Sequence, residues 1–436
     1  MSMTTQAEKL YPSGPDEAYD LNTVPESFDK VAEFLAEYGD ICRIPPVNRT
    51  HDTYLINHPD YIRHVLLNNA DKYYKGPGFE RVKMLLGNGI IVSDGALWRR
   101  QRRMMQPSFN RKIIGKLADH IKRCNLDFLG QWEQKAREGT EINIARESSE
   151  LALQIILRSI LSDDLETIIE MAGTNPFTIL TDHSERDMKL VLKFRELGKL
   201  ILELIKKRRL EKPERFDFLS MFMEARDKET GSMMSDTELL DEVMTMIIAG
   251  HETSAISLTW VWYFIARYPH IESRVHQEVD QARYATIPDM DELDQLPYVK
   301  QVLEEALRYY PPVWLYSRKA MEDDYIGGYF VPSGTNIFIS PYYIHRHPDF
   351  WPDADRFDPD RFAEDAVRTR HRQAFIPFSA GPRRCIGDFF ATVEMQMHIG
   401  LMARKFRLEY IEDELVLDPA VNLRSKNPIY MKLISR

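Results

Sequence analysis

The 436-residue sequence predicts a mainly α-helical fold, a large helical region accompanied by a small β-rich lobe. Three observations carry that prediction. Apolar residues recur at helical spacing, with capping residues at their starts, through most of the chain; alternating, strand-like patterns are confined to a few places; and no Gly/Ser-rich linker, charge block, internal repeat or low-complexity tract divides the sequence. A chain of this length with 44% hydrophobic residues can bury a large core, and its length alone suits one large domain or two to three ordinary ones.

Taken in order, the first helical pattern covers 26–38 and leads into strand-like residues over 41–56 and a helix over 59–69. Helical spacing then runs over 95–105, 111–137, 146–161 and 184–209. The next helix, 235–268, opens with Ser235 and Glu238, a capping box in which each side chain bonds the other residue's backbone N–H. Helices over 270–283 and 297–309 follow, and Pro311 stops the second because proline cannot continue a helix. Strand signals return over 325–340 around the Gly327-Gly328 turn. From Pro341 to Pro359 the interleaved aromatics indicate ordered turns, not disorder. A last helix over 387–406 precedes a strand-rich stretch in the final thirty residues.

A net charge of -10 argues against a general nucleic-acid binder, so any basic patch has a local meaning. The three cysteines, Cys42, Cys124 and Cys385, form neither a disulfide framework nor a zinc set, which points to a reducing cytoplasm. The start, MSMTTQAEKLYPSGPD, has no basic n-region and no apolar h-region, so neither a signal peptide nor an N-terminal anchor is expected.

The segment Val243–Ile265 is long and apolar enough to imitate a transmembrane span. Its middle argues otherwise. Ala249 to Ser254 are all small or polar, and a carboxylate such as Glu252 costs about 2.5 to 3.5 kcal/mol at a bilayer centre, against about 0.3 to 0.6 gained per Leu or Ile. A core helix of a soluble protein fits better. Its midpoint is weak, because Gly250 lowers helix stability and the Thr253 hydroxyl can bond its own backbone. Such a site can bend, admit water and present a hydroxyl to a ligand; a kinked packing helix with a solvated Glu252 accounts for the pattern equally well.

Glu305 and Arg308 are three residues apart and share a helix face, so they form a surface pair or, joined by Arg361 and buried, a structural triad. Trp98 and Arg102, four apart, can offer an indole N–H and a guanidinium to one anion. Arg318 follows an apolar run and Arg383 lies two residues before Cys385; each, alone, could be an ordinary surface arginine. Cys385, in FIPFSAGPRRCIGDFFA, could be a buried small hydrophobe, a redox thiol or a metal ligand.

Together these pieces resemble one family. Phe378, Gly381, Arg383, Cys385 and Gly387 match F-x-x-G-x-R-x-C-x-G of the cytochromes P450, the haem-thiolate monooxygenases, in register. Ala249, Gly250, Glu252, Thr253 and Ser254 match A-G-x-[DE]-T-[TS]. Glu305 and Arg308 match E-x-x-R, Arg361 the arginine of the following P-x-R-F segment, and Trp98 with Arg102 W-x-x-x-R. The resemblance covers essentially the whole chain and implies the P450 fold as a single domain over residues 1–436.

It also implies the site. Cys385 would be the axial ligand of haem b iron, on a loop before a helix whose N-terminus favours a thiolate. Trp98, Arg102, Arg318 and Arg383 would neutralise the haem propionates, and Phe378 would pack beneath the ring. Ala249 and Gly250 would leave a groove for dioxygen, where Thr253 with Glu252 and ordered water would handle protons. The chain has no nucleotide fingerprint in a βαβ setting, so NAD(P)H is expected to act through a ferredoxin or flavodoxin-type donor and its reductase. Arg99, Arg100, Arg103, Arg372 and Arg384 would gather on the donor's docking face.

The activity implied is oxygen-dependent hydroxylation or epoxidation of a lipophilic substrate by a soluble, bacterial-type monomer with no transmembrane anchor. A peroxide-using or isomerising haem-thiolate enzyme, or a haem and hydrophobic-ligand binder without turnover, are the rivals. Pocket walls are expected in Tyr73 to Ile91, Phe177 to Leu200, Pro312 to Leu315 and Ala420 to Leu423, where Leu85, Val313, Trp314 and Leu315 favour an apolar ligand. Fatty acid, terpenoid, steroid and polyketide all stay open, with the motif spellings tilting towards fatty-acid hydroxylases.

Overall fold

A computed structural model describes residues 9–181, 188–411 and 414–436. Three tryptophans sit in its main core: Trp132 on the helix Arg111–Glu138, and Trp260 and Trp262 on the central helix Asp236–Arg267, all at most 1% exposed. The helix Ile144–Leu161 packs along the central helix. It approaches most closely at Gly250, where an added Cβ would fall 2.8 Å from Ile156 Cδ1, so any side chain there would push the two helices apart.

The helix Asp388–Lys405, which follows Cys385, closes the other side of the core. Two buried polar contacts tie it in. Trp262 Nε1 donates to His398 Nε2 at 3.1 Å while His398 Nδ1 meets Asn125 Oδ1 at 2.9 Å, an arrangement that needs a neutral ring, and burial pushes the His398 imidazole down to about 3. Ser254 Oγ bonds the carboxyl of Glu394, which burial pushes up to about 8 against the opposing hydrogen bond from Ser254.

The sheet lobe forms beside this body. Five strands run in the order Ile41–Ile44, Thr53–Ile56, Asn336–Ile339, Tyr316–Ala320, Tyr73–Lys75; the second and third pair in parallel and the other neighbours antiparallel. Asp324–Ile326 and Tyr329–Val331 form the expected hairpin, its Gly327 and Gly328 both at positive φ (58° and 87°) as a two-residue turn demands. Glu141–Asn143, Tyr430–Ser435 and Phe406–Tyr410 make a separate antiparallel sheet.

The expected helices form with shifts of a residue or two, but with three differences. The segment expected as a helix over 59–69 is helical over Pro59–Arg63 and widens into a π-turn over His64–Asn68. Expected residues 184–187 lie outside the described residues, and the helix is Met188–Glu211. Helices at Phe79–Leu86, Asp164–Ala172 and Phe218–Glu224 and strands at Tyr73–Lys75, Glu141–Asn143 and Tyr316–Ala320 escaped the periodicity argument; at three to nine residues each, packing against a neighbour rather than internal pattern holds them.

The central helix begins at the expected capping box of Ser235 and Glu238, and helical structure is continuous from Asp236 to Arg267, through Gly250. Thr253 Oγ1 donates to Ala249 O and Ser257 Oγ to Thr253 O, both at 2.8 Å, so these two hydroxyls are satisfied on the helix's own carbonyls. Among the described residues no helix is long and apolar enough to cross a membrane.

Glu305 and Arg308 are fully buried, so the pair is not a surface pair. Arg308 donates to both Glu305 oxygens at 2.6 and 2.8 Å and to the carbonyls of His345, Ala354 and Arg356. Arg361 completes the triad, with Nε 3.7 Å from Glu305 Oε1 and its two terminal nitrogens on Pro352 O and Asp353 O. This one guanidinium staples the helix Pro297–Tyr309 to the proline-rich turns that lead to Cys385.

Two stability predictions follow. Arg308→Leu leaves Glu305 buried without its main partner and three carbonyls unpaired, and should cost about 3 to 5 kcal/mol, read by denaturant unfolding. Glu394→Gln should flatten the pH dependence of stability. From about pH 4.3 to about 8 the parent binds one more proton folded than unfolded, so its stability falls as pH rises, by up to about 1.4 kcal/mol per unit for this group. Urea midpoints across that range measure the difference.

Candidate active site

Cys385 stands two residues before Gly387, the N-cap of the eighteen-residue helix Asp388–Lys405. Its loop is held on every side. Trp351 Nε1 donates to Ala374 O at 3.1 Å, the Ile376 N–H donates to buried His345 Nε2 at 2.9 Å, and the Cys385 N–H donates to Phe378 O at 2.9 Å. Gly381 is required: its φ is 71°, and a Cβ would fall 1.8 Å from Leu66 O. Cys42 and Cys124 are buried, whereas Cys385 is exposed. Although the residue is exposed, the packed protein around its sulfur desolvates the thiol and pushes it up, as does Asp388, while hydrogen bonding from the Gly387 backbone and the charges of Arg102 and Arg384 oppose that shift.

Beside this loop lies a group of cations. Arg318, 4% exposed, donates to Ser317 O; burial, aided by Arg383 and opposed by Tyr316 and Asp94, lowers it to about 10. Lys75 is driven well down, first by burial and then by Arg318 and Arg383. Arg383 donates to Asp94 and, at 3.2 Å, to Ser93 O, and its guanidinium lies 4.4 Å from the centre of the Trp98 ring. Arg102 donates to Arg384 O at 2.9 Å. Three cations thus face one carboxylate, Asp94, in a desolvated place. Uncompensated, like charges there are costly, and a dianionic group beside the Cys385 loop would balance them. The donor set therefore fits a haem, with its two carboxylates at the cations and its iron at the thiol.

Of the residues expected from sequence, Trp98, Arg318, Arg383, Phe378, Cys385 and Gly387 come together here. Arg102 is adjacent but bonds the cysteine loop's backbone. Ala249, Gly250, Glu252 and Thr253 form a half-buried stretch of the central helix, with buried His251 between them turned to Ser149 Oγ at 2.9 Å. Sequence reasoning missed Lys75, Asp94 and Tyr316. Asp94 had a signal, since it precedes the helix Gly95–Met105 in the N-cap position, but its side chain accepts from Lys75 N and Arg383 instead of capping.

Two other expectations need correction. Trp314 and Leu315 are 0% and 3% exposed in the core under the sheet lobe, with Trp314 Nε1 on Pro419 O at 2.7 Å, so they are packing residues and not pocket wall. Of the five arginines expected on a docking face, Arg100 pairs with Glu238 and Arg103 with Asp227 and Glu229, and Arg384 pairs with Asp388 while staying exposed. Arg99 and Arg372 are exposed.

Comparison with known proteins agrees with this geometry. Residues 20–432 match the family described as Cytochrome P450. Cyclooctatin synthase of Streptomyces melanosporofaciens is 33% identical over 403 residues, 88% of this chain and 86% of that protein. Pentalenene oxygenase of Streptomyces avermitilis is 32% identical, over 86% of this chain and 85% of that protein. The crystal structure of the cytochrome P450DA heme domain superposes with a TM-score of 0.84 at 23% identity, covering 98% of both chains, which supports the fold. The chain belongs to the cytochrome P450 family, and it is an oxidoreductase of the monooxygenase type.

Proposed function

We propose that this protein uses haem b and dioxygen to hydroxylate or epoxidise a lipophilic cyclic substrate, with Cys385 as the iron ligand. The observation that carries the reading is the exposed Cys385 thiol at a helix N-terminus beside a buried excess of positive charge. When bound, haem supplies an iron that binds and activates dioxygen. The chain's residues do the rest. Gly387 and the helix start stabilise the thiolate, Arg318, Arg383 and Lys75 take the carboxylates with Trp98 beside them, and Arg102 stiffens the cysteine loop.

On the central helix Thr253 Oγ1 spends its hydrogen on Ala249 O, which leaves its lone pairs free to accept. In the proposed relay it accepts from and orients a water, while Glu252 with ordered water supplies the proton. Retention of both groups favours the oxygen-dependent reading over peroxide use, isomerisation or simple ligand carriage.

Among the four substrate classes left open by the sequence, the names of the two Streptomyces relatives favour a terpenoid over the fatty acid that motif spelling suggested. Electrons come from NAD(P)H through an acidic ferredoxin or flavodoxin-type partner and its reductase. That partner docks on a smaller basic face than expected, built on Arg99, Arg372 and Arg384. The protein works as a single-domain monomer in the cytoplasm, in keeping with three unpaired cysteines.

Cys385→Ser should fold yet lose the thiolate-type band in the carbon monoxide difference spectrum of the reduced protein; an unchanged band would remove the ligand assignment. Thr253→Ala should keep haem content and substrate binding, because Ala suits a helix well. Product formed per NAD(P)H oxidised should fall several-fold as equivalents leak to peroxide or water, and equal coupling would refute the relay.

A further inference from the structure

The segment Gly87–Ser93, between the helices Phe79–Leu86 and Gly95–Met105, is strapped onto the central helix by side chains that the reading above does not use. The Asn88 N–H donates to Asp241 Oδ2 at 2.8 Å and the Ile90 N–H to Glu242 Oε2 at 2.9 Å. Contact is direct. A Cβ on Gly89 would fall 2.1 Å from Thr245 Oγ1 and 2.7 Å from Asp241 O. The far end is anchored too, through Gln101 Nε2 on Asn88 O at 2.8 Å, Ser93 Oγ on Gln101 Oε1, and Arg383 on Ser93 O at 3.2 Å.

These anchors fix where the strap runs. One end sits on Glu242, seven residues and therefore about 10 Å along the helix from Ala249. The other sits on an arginine two residues before Cys385. Ile90 and Ile91, half-buried between those ends, pack against the main core.

Glu242 is an expensive choice for this position. It is 0% exposed, and among the described residues its Oε1 and the Thr245 Oγ1 one turn on have no hydrogen-bond partner. Burial pushes its acid up to about 8, Asp241 and Glu238 push the same way, and only the Ile90 amide opposes. An apolar residue of similar size would serve the core at least as well. Its one hydrogen bond, to the strap, is what an apolar residue could not supply.

We propose that Glu242, seconded by Asp241, is the latch of this strap: a positioning residue that holds Ile90 and Ile91 against the central helix and thereby sets the shape of the substrate groove. The groove half of this statement rests on the proposed function, whereas the latch half does not.

The test uses the haem-loaded full chain and three variants. Glu242→Leu removes the acceptor, Glu242→Gln keeps a carbonyl for the Ile90 N–H, and Gly89→Ala wedges the strap off Thr245 while leaving both carboxylates in place. Hydrogen exchange of the amides over 88–91 should speed up by about five- to tenfold in the Leu and Ala variants and stay near the parent in Gln, the factor expected for one buried hydrogen bond. Affinity for 4-phenylimidazole, which reaches into the groove, should weaken by a similar factor in Leu and Ala, while affinity for imidazole, which does not, should hold within about twofold.

Parent-like exchange in both Leu and Ala overturns the latch. Faster exchange with an unchanged ratio of the two azole affinities overturns the groove-shaping role. If the Leu variant does not fold, Gly89→Ala decides both points. A parent that gives no azole spectrum counts against the oxygenase reading, and the exchange data still decide the latch.

Discussion

The structure depends on how one long helix is buried. Asp236–Arg267 passes through the core with neighbours on several sides, where an unpartnered polar group is costly. It turns Thr253, Ser257 and Thr259 onto carbonyls four residues back, and it keeps its sequence small where Ile156 comes close at Gly250. Other polar groups reach outward to particular partners, while Glu242 Oε1 and Thr245 Oγ1 have none among the described residues. Ser254 meets Glu394 on the cysteine helix, His251 meets Ser149, and Asp241 and Glu242 meet the strap. The same helix therefore holds in place the helix behind Cys385 and the segment Gly87–Ser93.

A second constraint is electrostatic. An acidic protein concentrates Arg318, Arg383 and Lys75 in one corner around Asp94. Folding alone gains little from such a cluster, because each cation lowers its neighbours' proton affinity. Its sense lies in what it can bind: a corner of this kind beside the Cys385 loop suits an anionic group. Buried Glu305 and Arg308 show the opposite economy: their charges are matched by one another, by Arg361 and by backbone groups, so they hold the scaffold and take no part in chemistry.

Much of the site was legible in the sequence because its chemistry forces particular residues to fixed spacings. A thiol before a helix, an arginine two residues earlier and a glycine where only positive φ will fit must be near neighbours along the chain. Long helices were equally legible, since a repeating apolar face is a local pattern. Short elements such as Tyr73–Lys75 or Phe218–Glu224 have too few residues to show a period and exist because something packs on them. The pocket expectation failed at Trp314 for a related reason: an apolar residue reads the same whether it lines a ligand site or fills a core.

By itself the sequence determined the helical class and the family, and it singled out Cys385, Thr253 and the Glu305–Arg308 pair. Only the tertiary structure decided that Arg100 and Arg103 are spent on Glu238 and Asp227, that Lys75 and Asp94 stand with Arg318 and Arg383, and that Glu242 bonds a loop 152 residues away. The physical reason is the range over which each is settled. Spacing and capping act over a few residues, whereas desolvation, ion pairing and close approach depend on which distant segments the fold brings within a few ångströms.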